Sequence, residues 1–177
     1  MALRSLSEDD LALVLDWRNA PEVRANMYAN HKITWEEHRA WFHKMQHDPS
    51  MLWYIYMQHN IPFGVVYFTS YQAKRRNAFW GFYSGANAPR GTGLRMEYAA
   101  LEHAFSDLGV HKLNCEVIEF NRAVINMHKK YGFKEEGVFR DFHYDGEHYH
   151  DVVRLGMLDS EWIGCRDKLA ERISKLP

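Results

Sequence analysis

Hydrophobic residues recur along this chain at two spacings, and the alternation between them predicts its elements. Ser7-Glu8-Asp9-Asp10 resembles a capping box, and Leu11, Leu13, Val14, Leu15 and Trp17 follow as the apolar part of a first helix. Pro21 suits the first turn of a second, short helix. Thr34-Trp35-Glu36-Glu37 is a fuller capping box, after which Trp35, His38, Trp41, Phe42 and Met45 recur at helical spacing. The runs MLWYIYMQ, IPFGVVYFTSY and AFWGFYS then read as strands, with turn signals at His59-Asn60 and from Lys74 to Asn77. They predict an antiparallel meander.

Beyond the meander, the loop from Ser84 to Gly93 runs into a helix with Leu94, Tyr98, Leu101, Phe105 and Leu108 on one stripe and Gly109 as its stop. A strand HKLNCEV comes next, then a helix capped by Asn121 and ending at Gly132. Two strands, Phe133 to His143 and His148 to Leu158, are joined at Asp145-Gly146, and a last helix covers Asp159 to Ile173. The order reads αα, βββ, α, β, α, ββ, with a parallel neighbour pair expected to bracket the helix after Gly91. No Pro/Gly/Ser-rich linker divides the 177 residues, so one α+β domain over 1-177 is expected.

A net charge of −1 supplies no broad field for phosphate backbones, which argues against nucleic acid as a partner. The short basic run Lys74-Arg75-Arg76 reads as a solvated hairpin turn. MALRSLSEDD lacks the basic and apolar regions of a signal peptide, and no apolar run reaches membrane-spanning length. A cytoplasmic protein without membrane attachment is expected. Cys115 and Cys165 lie far apart with no CxxC, which excludes a disulfide framework, and Cys115 within KLNCEV reads as core packing. His148 and His150 alternate on one strand face near Asp151, but no third ligand is signalled, so no metal is expected.

The glycine loop carries the chemistry. Free amides at a helix N-terminus favour an anion, and a pyrophosphate suits them. Gly91-x-Gly93 with Glu116 on the next strand suggests a dinucleotide turn, but Met96 stands where the third glycine belongs and Ser84 to Arg90 is too long for that tight turn. A P-loop fails because no Gly-Lys-Ser/Thr follows.

Two segments carry a family resemblance. Ala88-Pro89-Arg90-Gly91-Thr92-Gly93 resembles the phosphate loop Gln/Arg-x-x-Gly-x-Gly/Ala of the Gcn5-related N-acetyltransferase (GNAT) superfamily, with Ala88 in place of the first residue. NRAVINMHKKYGF, from Asn121 to Phe133, resembles that family's segment opening on Asn and ending in Gly-Phe. The resemblance implies an acyl-CoA N-acyltransferase fold, layered αβα, with a mixed central sheet of about seven strands and helices on both faces. It implies acetyl-CoA as co-substrate, entering a V-shaped gap between the strand of Phe82, Tyr83 and Ser84 and the strand of Leu113 to Val117. The pyrophosphate would meet the amides of Arg90, Gly91, Thr92, Gly93 and Leu94. Asn121 would lie at the pantetheine arm, and Lys129 or Lys130 would neutralise phosphate.

Many members place a tyrosine four residues before that final glycine to protonate the CoA sulfur; His128 stands there, with a pKa of roughly 6.5 suited to the task, and Tyr131 is a reserve donor. Glu116 is the candidate base, acting directly or through water. WRNAPEVRANMYANHKITWEEHRAWF, GFYSG, HKLNCEVIEFN and EEGVFRDFHYDGEHYHDVVRLGML are similar to the N-acetyltransferases of pseudaminic acid biosynthesis. Those act on the 4-amino group of a UDP-linked sugar, UDP-4-amino-4,6-dideoxy-N-acetyl-beta-L-altrosamine, for flagellin or surface glycosylation. A sugar amine with a pKa nearer about 8 than about 10.4 has a substantial neutral fraction, which favours direct attack with no acyl-enzyme. For this nucleotide-sugar, Met27, Tyr28, His38, Trp41, Phe79 and Tyr83 offer aromatic and polar faces and Arg18 a partner for the diphosphate. The alternatives are acetylation of a protein N-terminus or another small amine, or a catalytically silent acyl-CoA-binding regulator; a homodimer is left open.

Overall fold

The computed structural model describes residues 2–176. The chain begins with β1 (Ala2–Ser5), which pairs antiparallel with the strand at Leu52–Gln58. This strand is absent from the sequence reading because ALRS holds a single large apolar residue and no alternation to detect. A 3₁₀ turn, Glu8–Asp10, leads into α1 (Leu11–Asn19). Its capping acid is Asp10, which accepts from the Ser7 amide at 2.9 Å and the Ser7 hydroxyl at 2.8 Å. Arg4 of β1 clamps the same carboxylate with bonds of 2.9 and 2.7 Å. Leu11, Val14 and Trp17 are buried, whereas Leu13, expected on the apolar face, is exposed.

Pro21 opens α2 (Pro21–Arg24). At α3 (Trp35–Gln46) the capping box is complete: the Glu37 amide donates to Thr34 Oγ1 at 3.2 Å and the Thr34 amide to Glu37 Oε2 at 2.7 Å. His38, Phe42 and Met45 are buried, while Trp35 faces solvent.

The meander is β2 (Leu52–Gln58), β3 (Ile61–Gln72) and β4 (Asn77–Ser84). His59 and Asn60 have φ of 51° and 62°, the left-handed pair that a two-residue hairpin needs. Side chains alternate across this sheet. Ile55, Val65 and Tyr83 pack with Val14, Trp17 and Val23 of α1 and α2 on one face. Tyr56, Val66, Phe68 and Trp80 pack on the other, with Met96, Leu101, Ile125 and Trp162.

Those last residues belong to the second half: α4 (Thr92–Glu102), β5 (Lys112–Ile118), α5 (Arg122–Tyr131), β6 (Lys134–Tyr144), β7 (Tyr149–Leu158) and α6 (Asp159–Ser174). A π-helical turn, His103–Asp107, extends α4, and Gly109 at φ 63° releases the chain. Asn121 caps α5 by accepting from the Val124 amide at 3.4 Å, and Gly132 at φ 103° ends it. The sheet runs β1-β2-β3-β4-β5-β7-β6, with helices on both faces. This is the expected α+β architecture of about seven strands. Among the described residues, no helix is long and apolar enough to cross a membrane.

The neighbours β4 and β5 are parallel, and their register covers Asn77↔Lys112, Ala78↔Leu113 and Phe79↔Asn114. Past that point β4 stays with β3 as far as Gly64↔Ser84, and β5 stays with β7 as far as Ile118↔Val152. Each strand follows its antiparallel partner, so the parallel pair opens into a V. Asn114 pins the branch point, its amide donating to Ala78 O at 2.9 Å and Asn77 Oδ1 at 2.6 Å.

Candidate active site

The V encloses a cleft of about 450 Å³. Gly81 to Gly85 of β4 and its exit form one wall, Cys115, Glu116 and Val117 of β5 the other, with Asn121, Val124 and His128 of α5 below and Val23, Asn26 and Met27 above. Parted strands present facing N–H and C=O groups that no neighbouring strand pairs, so a ligand rich in amides can bond there as a strand would. Two glycines keep the wall thin. A Cβ on Gly81 would collide with the Tyr67 ring, and one on Gly85 with the Trp17 indole.

His128 sits on the floor, 3% exposed, with Nδ1 2.6 Å from Oε1 of Glu97. Glu97 comes from α4 and is 0% exposed. Trp80 and Phe133 close round the imidazole with ring centroids at 5.2 and 5.3 Å. Burial works to lower the His128 pKa, but the Cys115 thiol and the Glu97 carboxylate, through charge and hydrogen bonds, outweigh it and push it up to about 10. Burial pushes the Glu97 carboxyl upward against the pull of His128. The pair therefore holds a proton through neutrality, in hydrogen-bond contact with a thiol on the cleft wall.

Glu116 also lines the cleft, with both oxygens engaged. Oε1 accepts from Arg154 at 2.8 Å, and Oε2 accepts from the Tyr28 hydroxyl at 3.0 Å. Arg154 in turn lies 4.0 Å over the Phe79 ring. Phe79 thus supports the cation that holds Glu116 and is not among the residues lining the cleft. Tyr28, pushed up by burial and by Glu116, keeps its proton and ties the loop after α2 to β5. A carboxylate with an arginine on one oxygen and a phenol on the other is better arranged to organise the cleft mouth than to take a proton.

The glycine loop has the shape the sequence implies. Gly91 at φ 87° turns the chain into α4 without a side-chain cap, leaving the Gly93 and Leu94 amides of the first turn with no carbonyl partner among the described residues. Thr92 differs from expectation, because its amide and hydroxyl both donate to Pro89 O, at 3.0 and 2.7 Å. The cleft lining reaches Gly85, Ala86 and Ala88, and Arg90 to Leu94 lie beyond it. Tyr131 and Lys129 are not brought to the cleft. The Tyr131 hydroxyl donates to Leu94 O at 2.6 Å, clamping α5 to the first turn of α4, and Lys129 pairs with Glu135 at 2.7 Å on the outer surface. Both border another groove with Lys130.

A second pocket of about 310 Å³ adjoins the cleft through Tyr83, which lines both. Arg18, His31, Ile33, Glu37, His38, Trp41 and Trp53 complete it. His38 stacks on Trp41 at 5.1 Å, and Trp41 packs edge-on against Trp53 at 4.6 Å. Arg18 anchors itself by one bond from Nη2 to Ala29 O at 2.7 Å. Its Nη1, His38 Nε2 and Trp53 Nε1 are buried without a hydrogen-bond partner among the described residues. Burial lowers the His38 pKa against a hydrogen bond to the Leu11 backbone, and the Arg18 charge adds to the lowering, so this ring stands neutral beside the cation.

Sequence reading missed Glu97, Arg154 and Trp53, and read Cys115 as packing when it also faces the cleft. Glu97 left a signal: it lies three residues after Leu94 and four before Leu101, a carboxylate inside an apolar stripe. Trp53 left none, since one aromatic in an aromatic strand looks like any other. Among the described residues no three His, Cys, Asp or Glu side chains gather as metal ligands, and His150 bonds Asp145 at 2.7 Å.

Residues 1–134 match the family model described as an acetyltransferase (GNAT) domain. The chain is 25% identical over 139 residues to acetyltransferase PseH of Campylobacter jejuni, spanning 78% of this chain and 86% of that relative. It is 26% identical over 170 residues to the SPbeta prophage-derived uncharacterized N-acetyltransferase YokL of Bacillus subtilis, with 92% of each chain covered. Its fold resembles the crystal structure of spermidine N-acetyltransferase from Vibrio cholerae in complex with CoA and spermine. The TM-score is 0.85 at 21% identity, over 92% of this chain and 97% of that one.

Proposed function

The chain belongs to the GNAT acetyltransferase family and is an acetyl-CoA-dependent N-acetyltransferase, and we propose that its acceptor is the 4-amino group of a UDP-linked 4-amino-4,6-dideoxy sugar, as in pseudaminic acid biosynthesis. One observation carries this choice: the second pocket offers an arginine nitrogen and an indole N–H, both buried and unpartnered, between aromatic faces. Unpaired buried donors favour a ligand rich in acceptor oxygens, such as a diphosphate and a pyrimidine ring. A polyamine would bring further positive charge against Arg18 and leave those donors unmet. The similarity to PseH supports the same reading, and the spermine-bound relative makes a polyamine the acceptor to test against it.

In this reading acetyl-CoA lies between β4 and β5, with its pyrophosphate at the Gly93 and Leu94 amides and its pantetheine arm beside Asn121. Asn121 keeps its side-chain oxygen for capping α5, so its amide nitrogen is the group left for the arm. The nucleotide end of the acceptor occupies the Arg18 pocket, and Tyr83, shared by both cavities, marks where the sugar amine meets the thioester. The neutral amine attacks the carbonyl carbon directly, a route that proximity makes fast without a strong base. His128 supplies the proton that the departing thiolate takes up.

Purified enzyme, acetyl-CoA and either UDP-4-amino-4,6-dideoxy-N-acetylaltrosamine or spermidine would be compared by mass spectrometry and by thiol release. The expected result is one added acetyl group on the nucleotide sugar, with kcat/KM at least about a hundredfold above that for spermidine. A preference for spermidine, or inertness toward the sugar, would overturn the assignment.

A further inference from the structure

Glu97 is costly where it stands. It shares the buried face of α4 with Met96, Ala100 and Leu101, its Oε2 has no hydrogen-bond partner among the described residues, and a leucine would fill that space without any desolvation. What the carboxylate does have is one short bond, 2.6 Å, to Nδ1 of a histidine that lines the cleft. That is the arrangement of an orienting carboxylate behind an acid-base imidazole.

We propose that Glu97 is a positioning residue for acetyl transfer: by engaging Nδ1 it fixes the ring of His128, so that Nε2, turned away from the carboxylate, is the nitrogen that passes a proton into the cleft that Cys115 also lines. This rests on His128 being the acid of the proposed reaction. In that step the amine nitrogen forms the new bond to the carbonyl carbon and the carbon–sulfur bond breaks with its electron pair on sulfur. The Nε2 proton passes to that sulfur, and the proton lost by the acylated nitrogen goes to solvent.

Few other groups act on this ring. Cys115 faces it from β5, and Trp80, Phe82 and Phe133 surround it without charge. Tyr131, on the same helix as His128, is pushed up first by burial and then by the nearby charge of Glu97. Glu97 is the carboxylate that this set contributes. Without it, only the Cys115 thiol would be left to oppose the burial that favours the neutral imidazole, and the ring would lose its proton as pH rises through neutrality.

The test compares kcat of Glu97→Gln, Glu97→Asp and wild type from pH 6 to pH 9, using whichever amine the wild type acetylates. Taking the variant-to-wild-type ratio cancels ionisation of the amine. The expected Glu97→Gln ratio is within about twofold of unity at pH 6 and roughly thirtyfold below it at pH 8, because an imidazole of pKa near 6.5 keeps its proton in only about 3% of molecules there. Glu97→Asp should restore a ratio that does not vary with pH, with KM for acetyl-CoA within about twofold of wild type in both variants. A Glu97→Gln ratio equal at both ends of the range would mean a purely structural role and overturns the proposal. If that variant does not fold, ¹⁵N-histidine NMR of the wild type decides: one imidazole of the eleven, lost in His128→Tyr, should stay protonated at pH 9. A His128 signal titrating near its ordinary value overturns the proposal instead. Inertness toward the nucleotide sugar would show separately, in the wild type, and leaves the ratio measurable on another amine.

Discussion

Phe79 and Asn114 form the last register pair between β4 and β5, and the cleft begins where their pairing stops. Asn114 is 1% exposed and holds the Ala78 carbonyl at 2.9 Å, so it fixes where the strands divide. Asn114→Ala should cost about 1–3 kcal/mol in urea unfolding, because a buried carbonyl loses its partner. It should also raise KM for acetyl-CoA severalfold as the walls lose their spacing, which steady-state kinetics on the same protein would read.

His128→Ala removes the proposed proton donor and leaves the cleft walls in place. The expected loss in kcat is about 10²- to 10⁴-fold, with KM for acetyl-CoA changed far less. An unchanged kcat would remove His128 from the chemistry.

Tyr131→Phe separates the two donors considered from sequence. Its hydroxyl bonds Leu94 O at 2.6 Å, away from the cleft. Loss of that bond should lower stability by about 1 kcal/mol in denaturant titration while kcat stays at the wild-type value.

Arg18→Ala tests the acceptor pocket. Hydrogen bonds from a charged group contribute about 1.5–3 kcal/mol, so KM for the UDP-sugar should rise roughly 10- to 100-fold. Acetyl-CoA affinity, measured by calorimetry, should not move, since Arg18 is absent from the cleft proposed for the coenzyme.

Asp10 makes stability depend on acid. Burial acts to raise its pKa, but Arg4 and the Ser7 amide and hydroxyl outweigh it and hold the carboxyl below its ordinary value. A lowered folded-state pKa gives stability that is present above the unfolded value near 3.9 and is lost as pH falls through the folded one. Urea midpoints of the wild type should therefore drop below about pH 4, and those of Asp10→Asn less steeply, from a start about 1 kcal/mol lower.

Much of this was legible before any coordinates. Capping residues, the Gly91, Gly109 and Gly132 breaks and the alternation in β2 to β5 marked most elements, because each obeys a local rule. The parallel pair and the gap beyond it followed from the order of elements and the family resemblance. What escaped depends on partners distant in sequence: β1 is a strand because β2 binds it, and Glu97 matters because His128 lies 31 residues away. The contact that Lys129 makes was hidden for a related reason. The residue sits in a matching segment, yet its turn of α5 points to Glu135.

The division of β4 from β5 leaves the middle of the sheet unfinished, an edge inside the molecule rather than at its rim. A coenzyme that lies there becomes the missing rung, so loading should harden the whole fold against heat, by about 2.7 kcal/mol at a hundred times its dissociation constant. A simple melting curve would then rank coenzymes and their fragments by how well each completes the sheet.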